Sequence, residues 1–155
     1  MNYQAAIFDM DGLLLDTERV ALHAFKQACE QLSLPFLKSV YLNIIGQNAK
    51  GIEQTILAGY GQDLDYLTLR SVWMEYYHGV VEHQAIPIKE GVINLLEWLT
   101  DQQIPMTVAT SSAQRSANIK LQLSGLNKYF DKITTGCEVS QGKPHPEIFL
   151  LAAER

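Results

Sequence analysis

Apolar and polar positions along the chain fall into patterns of different period. The short apolar run Ala5-Ala6-Ile7-Phe8, bounded by Asp and Gly, predicts a buried strand. Beyond it Val20, Ala24, Ala28 and Leu32 recur at four-residue spacing with Phe25 beside them, which predicts a helix over residues 17–33. Asp16 or Thr17 can cap that helix, and Leu34-Pro35 ends it, because proline removes a donor and restricts the residue before it. Two or three more helices are predicted, over about 37–45, 49–59 and 64–82, the last holding Leu67, Val72, Trp73, Tyr76, Tyr77 and Val80. No strand pattern interrupts them, so residues 17–85 read as a helical insert. From Ile86 the pattern alternates. Val92, Leu95, Leu96 and Leu99 mark a helix over 91–99. A strand over 106–110, a helix over 113–124 stopped by Gly125, a strand over 132–135 and a helix opening at Pro146 follow. Strand–helix alternation indicates a parallel sheet, and residues 5–8 belong to it despite the insert.

Composition narrows the class. The 155 residues are 47% hydrophobic and 19% charged, globular values that give no case for disorder. A formal net charge of −5 offers no polybasic patch, which argues against nucleic acid or an anionic membrane as a partner. Cys29 and Cys137 have neither CxxC spacing nor a histidine near enough for a zinc site, and both read as small buried hydrophobes in a reducing compartment. The opening MNYQAAIFDMDG lacks a basic stretch followed by a long apolar one, and no apolar run approaches the roughly 20 residues of a membrane span. A cytoplasmic protein is expected.

The candidate chemistry starts where the first strand ends. Asp9 and Asp11 sit at i and i+2, a spacing that sends both side chains to one side of an extended chain. Two carboxylates held close repel unless a cation, a proton or a substrate resolves the conflict. The carboxyl end of a parallel strand is also where open α/β folds bind ligands. A bare Asp-x-Asp-Gly is more often a turn, since both residue types favour turns. The surroundings favour the functional reading. The full string FDMDGLLLDTE resembles the first motif of the haloacid dehalogenase superfamily of phosphohydrolases, in the branch of beta-phosphoglucomutases and phosphoglycolate phosphatases that carries a small helical cap.

Two later stretches extend the resemblance. Met106–Ser112, MTVATSS, runs an apolar strand into hydroxyls and is similar to the family's second motif, whose Thr or Ser binds the transferring phosphoryl group. Thr110 is the candidate for that role, while Ser112 reads as an N-cap of the next helix. Gly142-Lys143-Pro144-His145-Pro146 resembles the third motif, whose lysine offsets the charge of aspartates and phosphate. Gly142-Lys143 is not a Walker A loop, because GxxxxGK[ST] is absent. The four histidines assemble no site by spacing.

The resemblance implies an α/β fold: a parallel Rossmann-like sheet core, residues 1–16 and 86–155, with the helical cap 17–85 inserted. It implies magnesium-dependent hydrolysis of a small phosphorylated metabolite. Asp9 would be the nucleophile and Asp11 the general acid and base, with Mg2+ on the Asp9 carboxylate and the Asp11 backbone carbonyl. Thr110 and Lys143 would clamp the phosphoryl oxygens. Gly12, Ser111 and, from the cap, Gln47, Asn48 and Lys50 complete the candidate substrate contacts. The family's fourth motif, acidic residues after a further strand, has no counterpart, since Glu147 and Glu154 fall on the last predicted helix. The chain thus resembles a member that ends before its last strands. The first strand would then keep a free edge, a template for self-association. A hexose phosphomutase is the alternative, against which Ala21 stands where such mutases carry His, and GQNAK where they carry a cap-loop Arg. A truncated, inactive fragment is the other.

Overall fold

The computed structural model describes residues 4–47 and 49–155. It divides into two compact units, Met1–Glu18 with Val81–Arg155, and Arg19–Val80. The first unit is α/β. Strands β1 (Ala6–Phe8), β2 (Met106–Thr110) and β3 (Ile133–Thr135) form a parallel sheet in the order β1-β2-β3. Register pairs Phe8 with Val108 and Thr110 with Thr135, so β2 and β3 end level with each other while β1 ends two residues short of them. Among the described residues β1 pairs with β2 alone, and its other edge carries no strand. A hollow of about 910 Å³ lies beside residues 4–7 and the start of β2.

Helices α1 (Thr17–Gln31), α2 (Lys38–Ile44), α3 (Ala49–Tyr60) and α4 (Tyr66–Val81) follow β1. Helix α5 (Val92–Asp101) precedes β2, α6 (Gln114–Leu123) joins β2 to β3, and α7 (Glu147–Ala153) closes the order. Ile148 and Ala152 of α7 pack with Ala109 and Ile7 of the sheet, and Phe8 meets Phe130 edge-on at 6.0 Å. Past β1 the chain turns on Gly12, whose φ of +79° favours glycine, and buries Met10, Leu14 and Leu15. Leu15 then bridges Ile88, while Lys89 pairs with Asp16 at 3.1 Å. These contacts tie the stretch that leaves the α/β unit to the stretch that returns. At the far end of the sheet Gly136 lets β3 approach β2, since a Cβ there would stand 2.6 Å from the Ser111 carbonyl oxygen.

The second unit is helical and has its own core. Phe25 is fully buried and meets Trp73 at 4.9 Å, Tyr41 at 5.3 Å and Phe36 at 6.2 Å. Burial of one such ring is worth about 1.5–3 kcal/mol, so this cluster is the main hydrophobic contribution within the unit. Tyr60 donates to the Pro35 carbonyl and accepts from the Leu37 N–H, and burial pushes its hydroxyl up to about 12. Leu67 is 75% exposed, and Leu69, two residues on, takes the buried place, because the inward face of α4 runs through Leu69 and Trp73. One expectation fails, that of a buried Cys137. It is exposed in the turn after β3, whereas Cys29 is buried against the Tyr60 hydroxyl.

Candidate active site

The site is built from the carboxyl ends of β1 and β2 and two segments that bring lysines to them. Asp9 is the first residue past β1. Its Oδ1 accepts the Met10 N–H at 2.8 Å and the Lys143 Nζ at 2.7 Å. Lys143 also donates to the Ala109 carbonyl of β2 at 2.9 Å, and its Nζ stands 4.9 Å from the centre of the Phe149 ring. One lysine thus spans the tips of two strands. Its loop is braced from behind. The backbone N–H groups of Ser140 and Gln141 donate to the two carboxylate oxygens of Glu147 at 2.8 and 2.9 Å. These bonds hold the Glu147 carboxyl below the usual range. Glu147 is thereby occupied as a brace.

Asp11 has different partners. Lys120 Nζ lies 2.7 Å from its Oδ1, and Ser112 Oγ donates to its Oδ2 at 2.7 Å. Thr110, buried at the tip of β2, donates to the same Oδ2 at 3.4 Å and accepts the Ser112 N–H at 3.1 Å. Ser112 is therefore not the helix cap that its position suggested. The N-cap residue of α6 is Ala113, with no side-chain cap bond, and the Ser112 hydroxyl is turned to the carboxylate instead. A charged acceptor offers a stronger bond than a backbone amide, which accounts for the turn. Lys120 is a residue that sequence reasoning passed over. It is 3% exposed, on the inward face of α6 with Ala117 and Leu121. The signal was available, because a lysine at i+3 between two apolar positions of one helical face calls for a buried counter-charge.

The other candidates are spread more widely. Gly12 spends its N–H on the Leu15 carbonyl at 2.9 Å. Ser111 is exposed, with its backbone against Gly136. Gln47 and Lys50 belong to the helical unit. There the Gln47 amide donates to the Asn43 carbonyl at 2.8 Å and accepts from Thr55 at 3.1 Å, while Lys50 is exposed on α3. Asn48 lies outside the described residues. The structure thus brings Asp9, Asp11, Thr110 and Lys143 together within the α/β unit, and adds Ser112 and Lys120.

Two carboxylates at a strand tip, each answered by its own lysine, with a buried threonine against Asp11, form a set suited to holding and attacking a phosphoryl group. The family model for haloacid dehalogenase-like hydrolases matches residues 6–155. The chain belongs to that family. The phosphorylated carbohydrates phosphatase of Thermotoga maritima is 32% identical over 158 residues, covering 98% of this chain and 70% of its own. The fructose-1-phosphate phosphatase YqaB of Escherichia coli is 29% identical, covering 99% and 80%. A Thermotoga maritima crystal structure, provisionally described as a beta-phosphoglucomutase, superposes with a TM-score of 0.80 at 31% identity, covering 99% of this chain and 70% of that one. The chain spans from 65% to 80% of the length of these and other curated relatives. Curated relatives in the family are named phosphatases, and phosphatase is the activity class of this chain.

Enzymes of the haloacid dehalogenase-like family generally use Mg2+. Among the described residues no group of three His, Cys, Asp or Glu side chains is placed to hold a metal. The donors at hand are the Asp9 carboxylate, 42% exposed, and the backbone carbonyl of Asp11. Both are hard oxygens. Mg2+ is commonly held by one or two carboxylates together with waters and substrate phosphate, so this small set fits it. Among the described residues no helix is long and apolar enough to cross a membrane.

Proposed function

We propose that the chain hydrolyses a small phosphomonoester of the sugar phosphate kind through a phospho-aspartyl intermediate on Asp9. The observation that carries the reading is the Asp9–Lys143 pair, in which a partly exposed carboxylate at the tip of β1 meets a lysine that also reaches β2. Both hydrogen bonds on Asp9 among the described residues fall on Oδ1, which leaves Oδ2 for attack on phosphorus. As that Oδ2–P bond forms, the bond from phosphorus to the ester oxygen breaks, and Asp11 gives its proton to the departing oxygen. Asp11, then a carboxylate, takes a proton from the water that displaces Asp9, and the phosphate leaves with the water's oxygen. Thr110 and Lys143 hold the phosphoryl oxygens as charge builds on them. Mg2+ on Asp9 and the Asp11 carbonyl would neutralise part of the phosphate charge.

The test is an assay of phosphate release from a panel of sugar phosphates with magnesium, with Asp9→Asn as control. Release by the wild type and none by the variant is expected, together with a trapped acyl phosphate on Asp9. Equal rates for the two proteins overturn the reading. A mutase is the second reading, favoured by the description of the 31% identical structure. It predicts an isomerised sugar phosphate in place of free phosphate. Ala21 and the Gly46–Lys50 stretch, which lack the family's mutase His and Arg, weigh against it.

A further inference from the structure

Lys120 has no place in the mechanism above, yet it is the most deeply buried charged side chain near the site. Burying an ammonium is costly, and a buried ion pair is often no more stabilising than an apolar pair of the same size. Leucine or methionine at position 120 would continue the face formed by Ala117 and Leu121. A lysine there therefore has to be explained by what it holds. Its Nζ lies 2.7 Å from Asp11 Oδ1 and 3.2 Å from Ser112 Oγ, and Ser112 Oγ lies 2.7 Å from Asp11 Oδ2. The three groups close a triangle. Asp11 is thus gripped on both oxygens, by a charge on one and by hydroxyls of Ser112 and Thr110 on the other. A carboxylate bonded on a single oxygen can swing about χ1 and χ2. One bonded on both, to partners fixed on a helix and a strand tip, cannot do so without breaking charge-assisted bonds.

We infer that Lys120, with Ser112, is a positioning residue that locks the Asp11 carboxylate in the orientation needed for proton transfer. The inference rests on the role proposed for Asp11. Lys120 acts on Asp11, by removing the freedom of the group that moves the proton. Misplacement of a catalytic group by a fraction of an ångström to an ångström is enough to lose rate, so orientation is a sufficient reason to retain a buried charge.

The inference separates from the phosphatase reading through two measurements. The first needs no turnover: three-bond couplings to the Asp11 β protons report its χ1. One rotamer is expected in the wild type and in Lys120→Arg, and averaged couplings in Lys120→Met. Unchanged couplings in Lys120→Met, or averaging already in the wild type, overturn the inference. Should Lys120→Met fail to give a folded amide spectrum, Ser112→Ala, which removes the shorter of the two hydroxyl bonds to Oδ2, carries the same comparison. The second is kcat/KM for two esters, a sugar phosphate whose alkoxide must be protonated and 2,4-dinitrophenyl phosphate whose phenolate need not be. General acid catalysis is worth about 10²–10⁴-fold, so Lys120→Met should lose at least about tenfold more on the sugar ester than on the aryl ester, with Lys120→Arg restoring most of it. Equal losses on both esters mean a merely structural lysine and overturn the inference. A wild type no more active than Asp9→Asn, with Asp11 still in one rotamer, instead rejects the phosphatase reading and leaves the lock standing.

Discussion

Asp9 and Asp11 stand two residues apart, and the chain treats them differently. Asp9 is 42% exposed and meets a lysine delivered by a loop, with both of its bonds on one oxygen. Asp11 is 30% exposed and meets a lysine buried in a helix, with its other oxygen taken by hydroxyls. A nucleophile needs one open oxygen and room for a substrate, whereas a group that carries protons needs a fixed direction. The two environments match those two needs. Sequence spacing places both carboxylates at the strand tip, but the elements that come back to them give the two different surroundings.

The largest expected effect tests the open side of this comparison. Asp9→Asn should abolish turnover, because an amide cannot form the intermediate; more than a few per cent of wild-type activity in a clean preparation would reject the assignment. Asp11→Asn should follow, with kcat/KM on a sugar phosphate falling about 10²–10⁴-fold, the usual worth of a general acid–base group. A loss confined to KM would dissolve the contrast between the two carboxylates. Lys143→Met comes next. Removal of one preorganised donor to a developing anion costs about 10²–10³-fold, and here the substrate's phosphate would also bind less well. An unchanged KM for phosphate esters would show that Lys143 serves Asp9 alone.

Much of this was legible in the sequence, and the misses share a cause. The β2 boundaries, the helical insert and the Asp9, Thr110 and Lys143 cluster follow from period, turn residues and the resemblance to family motifs. Those features are local, since each is carried by neighbours in the chain. Ser112 and Lys120 were missed because no motif ties them to Asp11, about a hundred residues away, and local logic offered each an easier use. A serine before a helix suggests a cap, and a lysine in a helix suggests solvent. Leu67 and Leu69 show the same limit on the apolar side, where only the packed helix decides which leucine turns inward. Cys137 was misjudged because burial of free cysteine is a tendency of the residue type, and the turn after β3 leaves it outside.

The smallest expected effect concerns the brace behind Lys143. Glu147 binds the N–H groups of Ser140 and Gln141 and so fixes the loop that leads to Lys143, and those bonds hold its carboxyl below the ordinary 4.5. A carboxyl whose folded value is depressed stabilises the fold above its unfolded value, and that contribution is lost as the pH falls through the folded one. Part of the acid sensitivity of the protein below about pH 4.5 should therefore come from this brace. Glu138, held low by its bond to Arg155, should add to it in the same direction. In Glu147→Gln the amide oxygen can still accept one of the two N–H groups, but its NH2 cannot accept the other. The variant should unfold a little earlier than wild type near neutrality, and its midpoint should fall less steeply on acidification because it has no charge to lose. Thermal melts of both proteins from about pH 7 down to about pH 2.5 measure this, and parallel curves would remove Glu147 from the account. The same variant sharpens the comparison between the two lysines. A looser loop should weaken the grip of Lys143 on Asp9 and lower activity modestly, whereas Lys120, anchored in α6, has no loop to loosen, so the Asp11 rotamer should stay as it is in wild type.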